Sequence, residues 1–591
     1  MDASCTEHVV AIRTIYSICR CLDNMLQKTM GPNGKSTLLN TPTGQILITN
    51  VGCTVLNCMN IGHPLGSMII RSIASHHNYS GDSSKTFMLY LTSIFSGIAV
   101  HAEERLNIYE FEQRNSLLHA VQYIRSHLFS EVLLPALHRK CSVMDVCENR
   151  SETMTVMCNL INSHLCGGYT SAIRKHLSRL LVDLLCSGVT AFRNLSAEIS
   201  SCIDNFNLLC VDVDCMPPTS SYVHAGVVIQ RDFIDFFQSP AERHARFVLL
   251  HDLFIKDGCK GEVSCTYEAN NMESLDKAFG WRSQCSTVLV DWLQKHNVNL
   301  IMSAGCIGNT LRTLCTNAGI SMVQFVDKED FERLKLLFHI NALEFMSDLF
   351  EVESDNYIGC SEVCEAKIFG QKRFVCLELP HHNRQCTVEG LSTAEKLHAH
   401  ECLKKQLVIC GMSAGACQQI RLDLLHALKT LRLWLDCRLL ETEAADCRAV
   451  HIAGGGSFEL ICYDALQDFM KQNALQLDGH MNICCEALSA AFLAVPLRLL
   501  HNSFKPKLAT VIYIKERLRS SSTSGTNILG FDGCNGEQLK VDTTVIEPLM
   551  SKILVIEHVL ELTEQLLRIN SMIPAKDLMQ KSLSKEEIVD I

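Results

Sequence analysis

Residues 81–86 read Gly81-Asp82-Ser83-Ser84-Lys85-Thr86 and run directly into the apolar segment 87–91. Glycine lets the backbone approach an anion closely, and the exposed amides of a helix start point toward that anion. Ser and Thr hydroxyls would add donors, and the Asp82 carboxylate suits a hard cation such as Mg²⁺ beside phosphate oxygens. The hexapeptide therefore predicts a phosphate cradle at a helix start, although an N-cap and turn is the commoner origin of such a stretch.

Composition places the chain among folded proteins with several domains. It has 591 residues, of which 47% are hydrophobic, and this length suggests about three to four domain-sized units. The formal net charge is -11, and the sequence has neither a basic cluster nor a basic stripe. This charge balance argues against nucleic acid or an anionic membrane as a partner.

The N-terminal residues, the apolar runs and the cysteines indicate in which cellular compartment the protein is expected. The first eight residues have no basic segment followed by an apolar core, so we expect no secretory signal. The apolar run 87–100 is too short to span a bilayer, and we propose no membrane span. The 31 Cys include no Cys-x-x-Cys pair, which favours reduced, buried thiols over a zinc ribbon or a disulfide framework.

The first hundred residues alternate helices with sharp turns. Apolar residues recur at helical spacing from 7 to 30, and Gly31-Pro32-Asn33-Gly34 should end that helix in a tight turn. The segments 37–39 and 45–49 then read as a β-hairpin around the turn residues 41–44. His63-Pro64 should precede another helix.

The middle of the chain reads as an α/β unit. Near-continuous apolar strands are expected at 298–302 and 323–326, with a helix between them and another helix from Lys328. Residues 394–440 have a strongly helical pattern.

The motifs of the N-terminal part occur in an order typical of one family. The order is Gly31-Pro32-Asn33-Gly34, the segment 48–56, His63-Pro64 and then Gly81-Asp82. This order resembles the ATP-binding half of group II chaperonins, the TCP-1/cpn60 family. In detail it is most similar to the chaperonin-like proteins of Bardet–Biedl syndrome. The segments 221–229, 357–377, 454–459, 530–532 and 547–569 extend the resemblance over nearly the whole chain.

The resemblance implies a discontinuous α+β fold with three domains: a mainly helical equatorial domain, a small intermediate domain and an α/β apical domain. The expected segments are 1–137 equatorial, 138–210 intermediate, 211–366 apical, 367–450 intermediate and 451–591 equatorial.

The resemblance also implies ATP and Mg²⁺ as cofactors, with Asp82 as the metal ligand. Triple glycine before a helix is more often a loop without a ligand, but Gly454-Gly455-Gly456 falls where the family has its second nucleotide loop. The implied nucleotide-binding residues are Gly31, Pro32, Gly34, Gly52, Gly81, Asp82, Ser83, Ser84, Lys85, Thr86, Gly454, Gly455 and Gly456.

Departures from the family pattern argue against hydrolysis. Val51 replaces a family aspartate, and His426 falls where the intermediate domain normally supplies another. Because phosphoryl transfer to water depends on positioning and charge stabilisation, loss of both carboxylates should leave binding but impair turnover. His426 could act as a substitute base, but an ordinary helix histidine is the simpler interpretation. Near the adenine pocket, Leu539 or Lys540 falls where the family usually has an aspartate, which weakens the prediction of nucleotide binding. The sequence identifies no catalytic residue.

Two other groups have simpler explanations. His398, Glu401 and Cys402 share a helix face and could hold zinc, but a solvated helix face is favoured. Between 262 and 292, four apolar residues could capture partner chains, but core packing is favoured for each. They are Met272, Leu275, Phe279 and Trp281.

The family resemblance leads to three functional hypotheses. The first is an ATP-binding assembly chaperone that helps build the ciliary BBSome. Its partners would be other Bardet–Biedl chaperonin-like proteins, cytosolic chaperonin subunits and BBSome components, in the cytoplasm, the cilium and the basal body or centrosome region. The second is an ATP-hydrolysing subunit of a folding ring. The third is a scaffold with a vestigial nucleotide pocket.

Overall fold

The computed structural model describes most of the chain. The described residues are 8–9, 11–40, 46–105, 110–186, 194–235, 244–251, 272–344, 348–349, 354–379, 404–436, 448–503, 512, 530–533 and 544–572. The chain divides into two compact units, one of residues 1–145, 159–170 and 429–591, the other of residues 146–158 and 171–428. The fold is the α+β multidomain type expected from the sequence. The five-segment, three-domain boundaries remain a prediction.

The first unit is mainly helical. Its helices are Ile12–Leu26, Gly52–Asn57, Pro64–Ser80, Ser84–Arg105, Glu110–Tyr123, Leu134–His138, Ser457–Gln472, Gly479–Asn502 and Leu549–Arg568, with a π-helix at Ile124–Leu133. The helices Arg150–His164 and Ala414–Trp434 contain points where the chain passes from one unit to the other.

The helix Ser84–Arg105 forms the centre of the first unit. Its first turns bury consecutive side chains from Phe87 to Leu91, so apolar neighbours surround it. The helix Gly479–Asn502 packs closely along it, and a Cβ on Gly97 would lie 2.7 Å from the Cβ of Ala487. Small residues at this crossing therefore allow the two backbones to approach.

The helix Gly479–Asn502 is long and apolar enough to cross a bilayer by length and composition, with a mean hydropathy of 1.8. It is the one such helix among the residues that the structure describes. More than half of its apolar window (56%) is buried inside the protein. Its buried residues join the core of the first unit, as in a core helix of a folded domain.

Short β-structures border the helices of the first unit. Thr37–Asn40 pairs antiparallel with Ile46–Thr49, as the hairpin prediction required. His8–Val9 pairs with Ser571–Met572. A three-stranded sheet has Arg448–Ala453 between Ser142–Asp145 and Ile546–Pro548.

The second unit combines helices with two five-stranded sheets. The first sheet has the order Ile358–Ser361, Ala245–Leu250, Leu300–Ser303, Ser321–Val323 and Phe233–Asp235, and its three central strands are parallel. The second has the order Val363–Phe369, Lys372–Glu378, Tyr222–Ile229, Lys405–Cys410 and Cys210–Val213. The helices are Ser171–Cys186, Leu195–Asp204, Phe206–Leu209, Met272–Lys295, Asn309–Asn317 and Lys328–Phe338, with 3₁₀ turns at Pro218–Ser220 and Ser354–Tyr357.

The α/β prediction for the middle of the chain is confirmed, including the helix that begins at Lys328. One prediction is wrong. The helical pattern expected over 394–440 contains a strand, Lys405–Cys410, before the helix Ala414–Trp434. That strand lies between two others and is almost fully buried, so its apolar residues form a run rather than a helical stripe.

Candidate functional site

Two left-handed residues shape the entry to the central helix. Gly81 ends the helix Pro64–Ser80 with φ +78°, and its N–H donates to the carbonyl of His77 at 2.8 Å. Ser83 follows with φ +72°, a conformation that is uncommon for residues other than glycine. Its carbonyl accepts from the N–H of Phe87 at 2.8 Å. This tight turn leaves the side chain of Asp82 59% exposed.

Ser84 and Lys85 connect this turn to two other loops. The Ser84 Oγ accepts from the N–H of Cys53 at 3.1 Å, at the start of the helix Gly52–Asn57. The Lys85 Nζ donates to the carbonyl of Thr29 at 2.8 Å. The hexapeptide predicted to form a phosphate cradle is therefore in direct contact with Thr29, just before Gly31, and with Cys53, just after Gly52. The resemblance assigns both glycines to nucleotide binding.

Glycine is required where these loops approach one another. Gly31 has φ +89°, and the N–H of Gly34 donates to its carbonyl at 3.0 Å. A Cβ on Gly34 would lie 2.3 Å from the carbonyl oxygen of Thr29. A Cβ on Gly52 would lie 2.9 Å from both the Ser84 Oγ and the Lys85 Cγ. Larger residues would push the loops apart.

A fourth loop, Leu165–Gly168, lies against the same place and was missed from sequence. Gly167 has φ +94°, and a Cβ there would lie 2.8 Å from the Gly31 oxygen and 3.6 Å from the Asn50 Nδ2. His164 precedes this loop, with its Nδ1 3.8 Å from the Asp82 Oδ2. The Gly167-Gly168 pair after a helix was the one local signal of this loop.

The electrostatics of the cradle keep Asp82 ionised. Enclosure by the surrounding loops favours the neutral acid, but His164, the backbone of Ser83 and the Lys85 ammonium hold the pKa of Asp82 below its usual value. Burial lowers the pKa of His77 to about 4, although the charge of Asp82 opposes that shift. At neutral pH the cradle therefore combines a carboxylate with a neutral His77.

Asp82 fits the role of a magnesium ligand. Its carboxylate is ionised, accessible and placed at a helix start that favours phosphate oxygens. Among the residues that the structure describes, no group of three or more His, Cys, Asp or Glu side chains is arranged to hold a metal ion. A cation here would depend on Asp82 together with ligand oxygens. His398, Glu401 and Cys402 lie outside the described residues.

Val51 and His426 supply no carboxylate at their positions. Val51 is the N-cap of the helix Gly52–Asn57 and makes no side-chain capping bond. Its N–H donates to the Thr49 Oγ1 at 3.1 Å. His426 is half-buried within the helix Ala414–Trp434 of the second unit. Leu539 and Lys540 lie outside the described residues.

The triple glycine lies against the chain's own backbone. Gly455 and Gly456 have φ +65° and +85°. A Cβ on Gly455 would lie 2.2 Å from the carbonyl oxygen of Phe531, whose N–H donates to the Gly455 carbonyl at 2.8 Å. A Cβ on Gly456 would lie 3.1 Å from the Pro496 Cβ. Packing alone thus accounts for these two glycines, and their contact with a nucleotide remains a prediction.

The segment Gly530–Gly533 links this loop to the first turn of the cradle. The N–H of Gly530 donates to the Ser457 Oγ at 2.6 Å. Three residues later, the carbonyl of Gly533 accepts from the Asn33 Nδ2 at 3.2 Å. Gly454–Gly456 and Gly31–Gly34 are therefore held on one framework within the first unit.

A buried charge cluster supports the triple-glycine loop, and sequence analysis did not find it. The Oε1 of fully buried Glu459 accepts from the Tyr90 hydroxyl at 3.1 Å and from the Lys552 Nζ at 3.2 Å. The Lys552 Nζ also lies 2.8 Å from the Glu547 Oε2. Burial raises the pKa of Glu547 despite the opposing charge of Lys552. The Glu547 Cγ would lie 3.4 Å from a Cβ on Gly454, so the cluster packs against the start of the loop.

The sequence matches a known protein family over most of its length. A model of the TCP-1/cpn60 chaperonin family matches residues 22–577. The matched range contains every residue of the candidate site.

Individual relatives fall into two groups. BBSome complex assembly protein BBS10 of Homo sapiens is 22% identical over 442 residues, which are 71% of this chain and 57% of that protein. The Mus musculus protein of the same name is 22% identical over 406 residues, or 64% of this chain and 55% of that protein. The chain thus spans little more than half of these relatives. Thermosome subunit alpha of Archaeoglobus fulgidus is 21% identical over 563 residues, covering 95% of this chain and 91% of that subunit.

Proposed function

The chain belongs to the TCP-1/cpn60 chaperonin family, and on that premise we propose that it is an ATP-binding assembly chaperone. Its client would be the BBSome, and its nucleotide would set the shape of the protein rather than drive repeated cycles. The observation that supports this proposal is the contact of the Gly81–Thr86 loop, which carries the ionised Asp82, with Thr29 before the Gly31–Gly34 turn and with Gly52 and Cys53.

The cradle has the chemistry that nucleotide phosphates require. Backbone amides at the start of the helix Ser84–Arg105 would donate to phosphate oxygens, and the glycine turns would let the backbone approach them closely. Asp82 would hold Mg²⁺, which supplies charge neutralisation at the phosphates when it is bound. Ser84 and Lys85 fix the distances between the loops, so the site is organised before a ligand arrives.

Slow or absent hydrolysis is the second part of the proposal. Val51 places an apolar side chain at the N-cap where the family pattern has a carboxylate. His426 stands where the family resemblance implies the other aspartate. Without these two groups an attacking water lacks a base and an orienting partner, while the phosphate contacts remain.

We infer the partners of this chain from the names of its relatives. The name BBSome complex assembly protein BBS10 describes a protein that assembles the BBSome. We extend that role to this chain, with other Bardet–Biedl chaperonin-like proteins and cytosolic chaperonin subunits as co-chaperones. The corresponding locations are the cytoplasm, the cilium and the basal body or centrosome region. Equatorial, intermediate and apical domains with the boundaries given above are part of the same proposal.

Affinity capture from ciliated cells tests the partners and the cradle together. Tagged wild type should co-purify with BBSome components and chaperonin subunits in the presence of ATP, whereas Asp82→Ala should lose most of both. Asp468→Ala removes an exposed carboxylate of the same unit and should behave as wild type. Equal capture by Asp82→Ala would indicate a scaffold with a vestigial pocket, and steady ATP turnover by wild type would indicate a working ring ATPase.

A further inference from the structure

Lys85 takes an unusual course through the cradle. It belongs to the first turn of the helix Ser84–Arg105 and is half-buried. Its Cγ would lie 2.9 Å from a Cβ on Gly52, so the side chain passes directly over that glycine. Its Nζ ends 2.8 Å from the carbonyl oxygen of Thr29. The ammonium is therefore held where the three loops meet.

The charges around this ammonium define what it can do. Asp82 is close enough for the positive charge of Lys85 to lower its pKa. A nucleotide brings several further negative charges to the cradle. Lys85 is thus a positive charge that is already in place, and an ammonium binds phosphate oxygens as a compact point charge.

We propose that Lys85 is a tethered cation of the nucleotide site, which donates to phosphate oxygens while the Thr29 carbonyl holds it. This inference rests on the proposed nucleotide binding and adds a specific consequence. Part of the affinity for a nucleoside diphosphate or triphosphate is independent of Mg²⁺ and of any monovalent cation from solution.

The hydrogen bond from Lys85 to the Thr29 carbonyl also connects two loops. Lys85 could therefore have a purely structural role that does not depend on its charge. Two substitutions separate these roles. Lys85→Met keeps the packing over Gly52 but removes the ammonium. Lys85→Gln is also neutral, yet its amide can still donate to the Thr29 carbonyl and preserve the link. If charge is what matters, both variants lose the same affinity, whereas a purely structural role affects Lys85→Met alone.

The test is calorimetric titration with ADP in the presence of EDTA. We expect Lys85→Met and Lys85→Gln to bind ADP about 10- to 100-fold more weakly than wild type, as for loss of a charge-assisted hydrogen bond. Lys35→Met removes an exposed lysine next to the same turn and should leave the affinity unchanged. Circular dichroism melting without nucleotide checks that each variant is folded.

Chemical rescue gives a second readout. In Lys85→Ala, ammonium chloride should restore part of the metal-free affinity, because a free ammonium ion can occupy the position beside the Thr29 carbonyl. Tetramethylammonium chloride at the same ionic strength cannot donate a hydrogen bond and should not restore it.

Failure of this inference is distinct from failure of the proposed function. Wild-type affinity for ADP in Lys85→Gln together with weaker binding in Lys85→Met would show that Lys85 is a structural link. Wild-type affinity in both variants would show that Lys85 does not contribute to binding, and nucleotide binding itself would stand in either case. No binding of ADP or ATP by wild type, with or without Mg²⁺, would overturn both proposals.

Discussion

At the scale of single residues, our proposal of nucleotide binding without turnover depends on Val51. It is the N-cap of the helix Gly52–Asn57, a position that favours Asp or Asn, and its side chain caps nothing. The same residue lies beside Gly52, over which Lys85 passes. A carboxylate here would thus both cap the helix and stand next to the cradle.

Val51→Asp should stabilise the protein and raise ATP turnover. An N-cap acceptor contributes about 1 kcal/mol to the free energy of unfolding. Val51→Asn provides the same cap without charge and should gain similar stability, but no turnover. Denaturant unfolding and phosphate release would measure the two effects. Equal turnover in the Asp and Asn variants would contradict a catalytic role for a carboxylate at this position.

Single residues also show why sequence reasoning found only part of the site. Gly31, Gly81 and Asp82 were predicted correctly to lie in tight turns at helix ends, because glycine and helix-start signals are local. The contact between His164 and Asp82 joins residues far apart in the chain, and no local pattern encodes it. The same holds for Glu459 with Lys552.

At the scale of elements, the local sequence pattern predicted whether a segment is a helix or a strand better than it predicted where that helix or strand begins and ends. The hairpin Thr37–Asn40 with Ile46–Thr49 followed from apolar runs around turn residues. The strand Lys405–Cys410 was missed because a short buried apolar run has no periodicity that distinguishes strand from helix. The helix predicted over 7–30 is shorter, Ile12–Leu26, since propensity alone does not define helix ends.

Two histidines meet between two helices of the first unit. His76, on the helix Pro64–Ser80, has its Nδ1 2.7 Å from the Nδ1 of His558 on the helix Leu549–Arg568. Only one proton can lie between these nitrogens. Burial, together with His558 and His77, lowers the pKa of His76 to about 3. The folded protein therefore binds fewer protons here than the unfolded chain, whose His pKa is about 6.5.

Acid should consequently destabilise the first unit. Because the folded-state pKa is lowered, the stability from neutral His76 is present above about pH 6.5 and is lost as pH falls toward 3. His76→Gln should reduce the pH dependence of the free energy of unfolding by up to about 1.4 kcal/mol per pH unit below 6.5. His138→Gln alters an exposed histidine and is the control. An unchanged slope in His76→Gln would show that His76 does not titrate on unfolding.

At the scale of the whole molecule, the residues of the cradle all belong to one of two compact units. The four loops of the cradle, the triple glycine and the buried Glu459 cluster lie in residues 1–145, 159–170 and 429–591. The four loops come from the first 170 residues, and the triple glycine and the Glu459 cluster add packing from the C-terminal part of the same unit. His426, which our proposal connects with slow hydrolysis, belongs to the other unit.

The most direct test is hydrogen exchange over the whole chain with and without Mg²⁺ and ATP, with the nucleotide analysed afterwards. We predict added protection at residues 29–34, 50–53, 81–86 and 164–168, and recovery of ATP largely unhydrolysed. Protection lost in Asp82→Ala would assign it to the cradle. Unchanged exchange in these four segments at saturating ATP would contradict the account, and rapid conversion to ADP would contradict its claim that this protein binds without cycling.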